Sequence, residues 1–325
     1  MSHDARPAPD GAEDEPLPVV RPVDVEPLPP DARWLLRDLW LRAAVGVIGG
    51  PPKCCKTWLG LDMAISVASG TAALGRFATE QRGPTLVYLA EDSLVQVRDR
   101  IDGICRHRGL ALADLDLHLL AVPMLRLDDA LQRRRLTATV KALRPRLLLL
   151  DPLVRLHALD ENNAQEVSRL LAYLRELQRT HDLAVVLVHH VSKKRRAQPG
   201  QALRGSSDLH AFGDSNAYLL RSDARLTLTL EHRAAASLDP VAIELVTDAA
   251  GAPHLELAGD QPADSAASAS LADRVLDELR RAGTPLTREA LRSRVRANNQ
   301  RLGDVLDELA AAGRVRRSPK GWSAA

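Results

Sequence analysis

A chain of 325 residues, 45% of them hydrophobic, is long enough to bury a full α/β core and carry a second small domain. Aromatic residues make up only 3%, so Leu, Val and Ala must build that core, and a net charge of +2 says little until it is divided by region. Three cysteines, two of them adjacent, exclude a disulfide framework and offer no metal-ligand spacing. With no apolar run of membrane-spanning length and no signal peptide before the acidic start, a cytoplasmic protein is expected.

The segment 1–32 opens the chain as a tail. Residues 1–31 hold eight prolines and eight acidic residues against two arginines, too little apolar surface to offset the entropy of ordering, so the tail is expected to be disordered. Apolar spacing returns at Arg33-Trp34-Leu35-Leu36-Arg37-Asp38-Leu39-Trp40, a lead-in expected to pack against the first strand. The apolar run Val45-Gly46-Val47-Ile48 ends in Gly49-Gly50, passes Pro51-Pro52-Lys53-Cys54-Cys55, and reaches Lys56-Thr57-Trp58-Leu59 at the head of an amphipathic segment. Strand, loop and helix in that order are what a phosphate-binding loop requires. Backbone N–H groups and the helix N-terminus would face phosphates, Lys56 would reach the β- and γ-phosphates of ATP, and the Thr57 hydroxyl would sit on Mg²⁺. Gly50 through Trp58 are therefore the candidate nucleotide-binding residues. The usual pattern G-x-x-x-x-G-K-[ST] is met except at Cys55, where a glycine would tolerate strained dihedrals and let the backbone approach the ligand. The competing reading is an ordinary strand-to-helix turn with a solvated lysine. The adjacent thiols at a helix N-terminus also invite a redox reading, because that position can depress a thiol's pKa.

The helix should run over 56–69 and stop at Gly70. Thr85 to Ala90 reads as a buried strand that ends in Glu91-Asp92-Ser93, with a helix from Leu94 to Arg108. Carboxylates at the C-terminal end of such a strand lie on the edge where open α/β sheets bind ligands. There Glu91 could activate a water for attack on a γ-phosphate; the alternative is an acidic helix start capped by Asp92 or Ser93. His118 to Val122 is a predicted short strand and Asp128 to Leu143 a helix. Leu147 to Leu150 then close on Asp151-Pro152, as a buried parallel strand does when it delivers a carboxylate to the outer coordination sphere of Mg²⁺. Asp160-Glu161-Asn162-Asn163 opens a helix over Ala164 to Thr180, and Leu183 to Val188 is a strand ending in His189-His190. A polar side chain at that end could sense the γ-phosphate. A metal pair is the rival, but adjacent strand residues point to opposite faces.

Ser192 to Gln201 is a basic loop with Lys193, Lys194, Arg195 and Arg196, followed by Arg204-Gly205-Ser206-Ser207. It could hold nucleic-acid phosphates in a ring channel or simply be a solvated loop. Arg225 to Glu231 and Val241 to Val246 alternate apolar and polar residues, as antiparallel edge strands do. The first domain is placed at 33–260, an Ala/Ser-rich linker at 261–270, and a second domain at 271–325. That last stretch carries 12 Lys/Arg against 7 Asp/Glu. Three predicted helices and a basic hairpin suggest a winged helix whose Asn299, Gln300 and Arg301 would enter a DNA major groove; such folds also dock proteins.

Taken as an ordered set, these stretches resemble the RepA-like branch of RecA-fold ATPases, hexameric helicases of plasmid replication. The resemblance spans 33–232 and rests on the phosphate loop, Ala90-Glu91-Asp92, Leu150-Asp151-Pro152, Asp160-Glu161-Asn162, His189-His190 with Ser192-Lys193, and Arg204-Gly205-Ser206-Ser207. It implies a RecA-like P-loop core with a mainly parallel sheet and a homo-hexameric ring that uses ATP and Mg²⁺ and passes single-stranded DNA. It implies Lys56 and Thr57 as triphosphate and Mg²⁺ ligands, Glu91 as catalytic base, Asp151 as the acid beside the metal, and His190 or His189 as γ-phosphate sensor. Where the family's arginine should reach a neighbour's nucleotide the chain has Asp214, which leaves Arg204 and Arg221 as candidates.

Overall fold

The computed structural model describes residues 17–29, 31–159, 164–190, 207–222, 225–249, 251–258, 271–295, 299–319 and 321–324. Residues 1–16 of the expected tail and the whole linker 261–270 lie outside them. The chain divides into two compact units, Met1–Leu257 and Ala258–Ala325.

In the first unit, β1 (Trp34–Leu36) and β2 (Trp40–Leu41) form a small antiparallel hairpin that turns at Asp38, whose φ is +62°. Both tryptophans are buried, and the Trp40 indole N–H donates to the Ala44 carbonyl at 3.3 Å. The lead-in is thus part of the core. Then come β3 (Val45–Gly50), α1 (Lys56–Ser69), β4 (Thr85–Leu89), α2 (Leu94–His107), β5 (Leu117–Leu119), α3 (Ala130–Leu143), β6 (Leu147–Asp151), α4 (Ala164–His181) and β7 (Ala184–His190). Local chemistry sets their ends. Gly70, at φ +84°, stops α1; Ser93 starts α2 in a reciprocal capping box with Gln96; Asp129 caps α3 through the Leu131 and Gln132 N–H groups. The strand expected over 118–122 is the shorter β5, one residue earlier.

The chain continues as α5 (Ser207–Phe212), β8 (Ser215–Ser222), β9 (Arg225–His232), β10 (Val241–Thr247) and β11 (Pro253–Leu257). The nine strands of the main sheet run in the order β11-β10-β9-β8-β3-β7-β6-β4-β5. From β8 to β5 all neighbours are parallel, and from β8 to β11 all are antiparallel. The fold is α/β with a mainly parallel sheet. Two edge strands were expected from the alternation at 225–231 and 241–246; β8 and β11 complete a four-stranded meander. The polar start of β8 masks it in the sequence, yet Ser215 and Asn216 are buried because each has work there. Ser215 Oγ accepts the Leu41 N–H at 3.0 Å and Asn216 Oδ1 accepts the Val47 N–H at 3.0 Å.

Strand alternation feeds two cores, one on each face of the sheet. Ile48, Leu147, Leu149, Val186 and Val188 face α1, α2 and the β1–β2 hairpin. Val45, Val47, Leu148, Leu150, Val185 and Leu187 face α3 and α4. Among the described residues no helix is long and apolar enough to cross a membrane.

The second unit contains α6 (Leu271–Ala282), α7 (Arg288–Val295), α8 (Asn299–Ala311) and an antiparallel ribbon of β12 (Val315–Ser318) and β13 (Gly321–Ala324). Its own core joins Val275, Leu279, Leu291, Leu302, Leu306 and Trp322. Leu286 exchanges both backbone hydrogen bonds with Trp322 at 2.8 Å, which ties the α6–α7 turn to the ribbon.

Candidate functional site

Parallel register gathers the ends of four strands on one edge. Gly50 pairs with His190 across β3 and β7, and Leu89 with Asp151 across β4 and β6. The loop after β3, the carboxylates after β4, Asp151 and the two histidines therefore share the edge from which α1 departs.

The loop itself is tight. A Cβ on Gly50 would fall 2.5 Å from both Cys54 Sγ and the Leu219 carbonyl oxygen, so only glycine fits there. Lys53 and Cys55 adopt left-handed φ values of +63° and +62°. Cys55 is the residue before the first turn of α1, and its carbonyl accepts the Leu59 N–H at 3.0 Å. The thiol at Cys55 thus occupies a backbone conformation suited to glycine, as the sequence departure implied. Pro51 closes the loop: its carbonyl accepts the Lys56 ammonium and the Cys54 thiol, each at 2.8 Å. Pro52 and Lys53 are exposed around it.

Lys56 is only 6% exposed, and burial lowers its pKa, opposed by the Cys54 thiol beside it and by Asp151. Thr57 Oγ1 donates to Asp151 Oδ2 at 2.6 Å. Burial pushes the Asp151 carboxyl up to about 6, against the Thr57 hydrogen bond and the Lys56 charge. Glu91 is exposed, and its Oε1 accepts from Arg155 Nε at 2.8 Å. Asp92 takes a two-pronged contact from Arg100, at 2.7 and 2.9 Å, while the same guanidinium lies 5.4 Å from the Trp58 ring. Asp92 is thereby committed to Arg100 and the cap is Ser93, which leaves Glu91 at the rim. A cavity of about 250 Å³ opens beside Asp92, lined also by Tyr88, Ala90 and Leu120. A larger one of about 780 Å³ lies between α3 and α4, away from this edge.

His189 is buried and His190 half-buried at the end of β7. Alternation sets His189 on the side of α3 and α4 and His190 on the side of α1. Arg204, Asp160 to Asn163 and the basic loop from Ser192 lie outside the described residues. Asp214 stands at the opposite end of the sheet. It accepts the Val45 N–H at 3.3 Å, pairs with Arg175, and meets Arg233 at 3.1 Å, a structural anchor for the start of β3. Arg221, exposed near the end of β8, lies close enough to the Cys55 side chain for its charge to oppose the effect of burial on that thiol. The contact was not legible in the sequence because 166 residues separate the partners; Arg155 and Arg100 carried no motif.

The redox expectation needs correction. Burial pushes the Cys54 thiol up against the pull of Lys56, and pushes Cys55 up against the pull of Arg221. Desolvation outweighs the helix terminus, so neither thiol is held as a ready thiolate.

Residues 12–196 match a family described as an AAA domain. No curated protein matches the sequence. Among solved structures, one titled as the RadB recombinase is 17% identical with a TM-score of 0.46, over 63% of this chain and 88% of that one. Another, a DnaB-like replicative helicase solved for its interactions with primase, is 15% identical with a TM-score of 0.50. That alignment covers 66% of this chain and 57% of the helicase, a likeness of fold. The family match spans more than half of the sequence and includes the phosphate loop, Glu91, Asp151 and both histidines, and the chain belongs to this family of AAA domains.

Proposed function

We propose that the chain binds and hydrolyses ATP and acts on DNA, as a helicase or remodelling motor of the RepA type. The observation that carries this reading is the meeting of Thr57 and Asp151 at 2.6 Å beside the buried Lys56, three residues from two strand ends in the arrangement a triphosphate and its metal need. The donor set fits Mg²⁺: a hydroxyl and a carboxylate, both oxygen ligands, at the mouth of an anion-binding loop. The ion, when bound, neutralises charge on the β- and γ-phosphates. In this reading Gly50 to Trp58 hold the phosphates, Lys56 with its charge and the rest largely through backbone N–H groups. Thr57 and Asp151 would hold Mg²⁺ there. Glu91 orients the attacking water, and its pairing with Arg155 aims the carboxylate along the rim. His190, on the face of α1, is the nearer sensor candidate, with His189 behind it.

The domain boundaries stay as read from the sequence: 33–260 as the ATPase, 261–270 as linker, and 271–325 as a winged helix that docks double-stranded DNA or a protein. A homo-hexamer in the cytoplasm, with single-stranded DNA in its channel and Arg204 reaching the neighbouring nucleotide, completes the proposal. A second reading, a nucleotide-gated DNA-binding regulator with little motor activity, is favoured by two observations. Cys55 sits where glycine belongs, and where the family's arginine should stand the chain has Asp214, held in ion pairs with Arg175 and Arg233.

The deciding experiment is ATP turnover by the intact protein with and without single-stranded DNA, beside Lys56→Ala. Turnover that DNA stimulates and the substitution abolishes supports the motor. Bound nucleotide with no turnover selects the regulator, and no nucleotide binding overturns both.

A further inference from the structure

Away from the nucleotide edge, α2 ends against β11, and the contact has an unusual composition. Gly103 and His107 lie one turn apart on the same face of α2. A Cβ on Gly103 would lie 3.2 Å from the Ala252 Cβ, so the glycine lets the helix close on the turn that opens β11. One helical turn later the His107 ring stacks on His254, with 3.5 Å between centroids and 21° between planes. His254 and Glu256, two apart on β11, share a face. Glu256 Oε1 lies 2.8 Å from His254 Nε2 and 3.4 Å from His107 Nε2.

We propose that His107, His254 and Glu256 bind a divalent transition-metal ion, with Zn²⁺ the best match, and that the ion staples the end of α2 to the β10–β11 hairpin. One ligand atom from each residue lies within 4.8 Å of the others. In a tetrahedral zinc site with bonds of about 2.0–2.1 Å, ligand atoms stand about 3.3 Å apart. The His107–Glu256 spacing already meets that value, the His254–Glu256 pair must open by about half an ångström, and the stacked His107 ring, at the surface, must turn away from His254 so that both in-plane lone pairs meet one ion. Two imidazoles and one carboxylate leave a fourth position for water, the open form of a zinc site.

The surroundings of His254 suit a metal ligand. Its side chain is buried, and Nδ1 lies 3.3 Å from the Ala252 carbonyl oxygen, an acceptor only. Nε2 stands 2.8 Å from the Glu256 carboxylate oxygen, where a ring proton, or a metal ion in its place, satisfies both atoms. A metal-ligating histidine commonly turns its other ring nitrogen to a backbone carbonyl, as Nδ1 is turned to Ala252 here. Because α2 starts at Ser93, just past Glu91 and Asp92, a staple at its far end would fix the helix that follows those carboxylates.

The test is calorimetric titration of the chelator-stripped, full-length protein with Zn²⁺ alone, repeated for His107→Ala and Glu256→Gln. Absorption of the Co²⁺-substituted protein serves as a ligand-field readout. His107 is at the surface, so its removal spares the fold. The expected result is one Zn²⁺ per chain in the unsubstituted protein, with affinity weakened at least about tenfold in both variants. Zn²⁺ should raise the melting temperature of the unsubstituted protein and not that of His107→Ala. Absence of stoichiometric binding, or binding unchanged in His107→Ala, overturns the site.

Discussion

Cys55 concentrates what is unusual about the phosphate loop. A non-glycine residue in the left-handed region costs about 1–2 kcal/mol, and here its thiol is also half-buried at the helix N-terminus. Cys55→Gly should therefore stabilise the protein, by about 0.5–1 kcal/mol after the greater chain entropy of glycine is subtracted. It should also tighten ATP binding by freeing the backbone; thermal melts and nucleotide titration check both. Asp151 carries the opposite kind of strain. Its carboxyl titrates near 6 in the folded chain against an ordinary 3.8. Below 3.8 both states are protonated and nothing is lost. As pH rises from 3.8 to 6 the unfolded chain gives up its proton first, and stability falls by about 3 kcal/mol by pH 7. Asp151→Asn, which can still accept from Thr57, should raise the melting temperature at pH 7.5 and leave it nearly unchanged at pH 4, while removing Mg²⁺-dependent turnover. Equal melting at both pH values would mean that the carboxylate is not under that strain. Of this chemistry the sequence shows the residue types and the departure at Cys55. It cannot show that Pro51 gathers Lys56 and Cys54, or that desolvation outweighs the helix terminus at the thiols, because both depend on burial.

Among the elements, those with a strong pattern were legible and those defined by long-range pairing were not. β3, β4, β6 and β7 are continuous apolar runs because helices cover both faces of the parallel sheet, and each was found within a few residues. The caps at Ser93 and Asp129 and the stop at Gly70 are local chemistry, equally readable. β8 was missed because its buried Ser215 and Asn216 hydrogen-bond β2 and β3, distant partners that no local window contains. The same junction shows how closely these strands approach. A Cβ on Gly46 would fall 1.6 Å from the Ser215 carbonyl oxygen, which is backbone and cannot swing aside. Gly46→Ala should cost at least about 3 kcal/mol or abolish folding. Gly60→Ala should cost less, since its Cβ would meet only the tip of Leu149 at 2.9 Å. Chemical denaturation of the two variants side by side measures the difference; a Gly46→Ala protein as stable as the unsubstituted one would refute the packing of β3 against the start of β8.

At the scale of the whole molecule, the second unit has a hydrophobic core of its own, separate from the two that flank the sheet of the first. The sequence signalled the second unit through its charge rather than its pattern: 12 basic against 7 acidic residues in 271–325, where the full chain is nearly neutral. What the charge does not tell is the partner. In the ribbon, Arg316 and Arg317 are exposed, and the Arg317 guanidinium lies 5.7 Å from the Trp322 ring, which holds it in place at the surface. If this unit grips duplex DNA, those two arginines contact phosphates, and each contact releases close to one counterion. Replacing both by alanine in the full-length protein should weaken duplex binding at least about tenfold at low salt. It should also flatten the dependence of log affinity on log salt by about 2, with DNA-independent ATP turnover unchanged. Neither residue reaches the buried core of its unit, so the loss would not stem from unfolding. An unchanged affinity and salt slope would move the second unit from DNA to a protein partner, and would leave single-stranded DNA at the first unit as the sole nucleic-acid contact of the proposal.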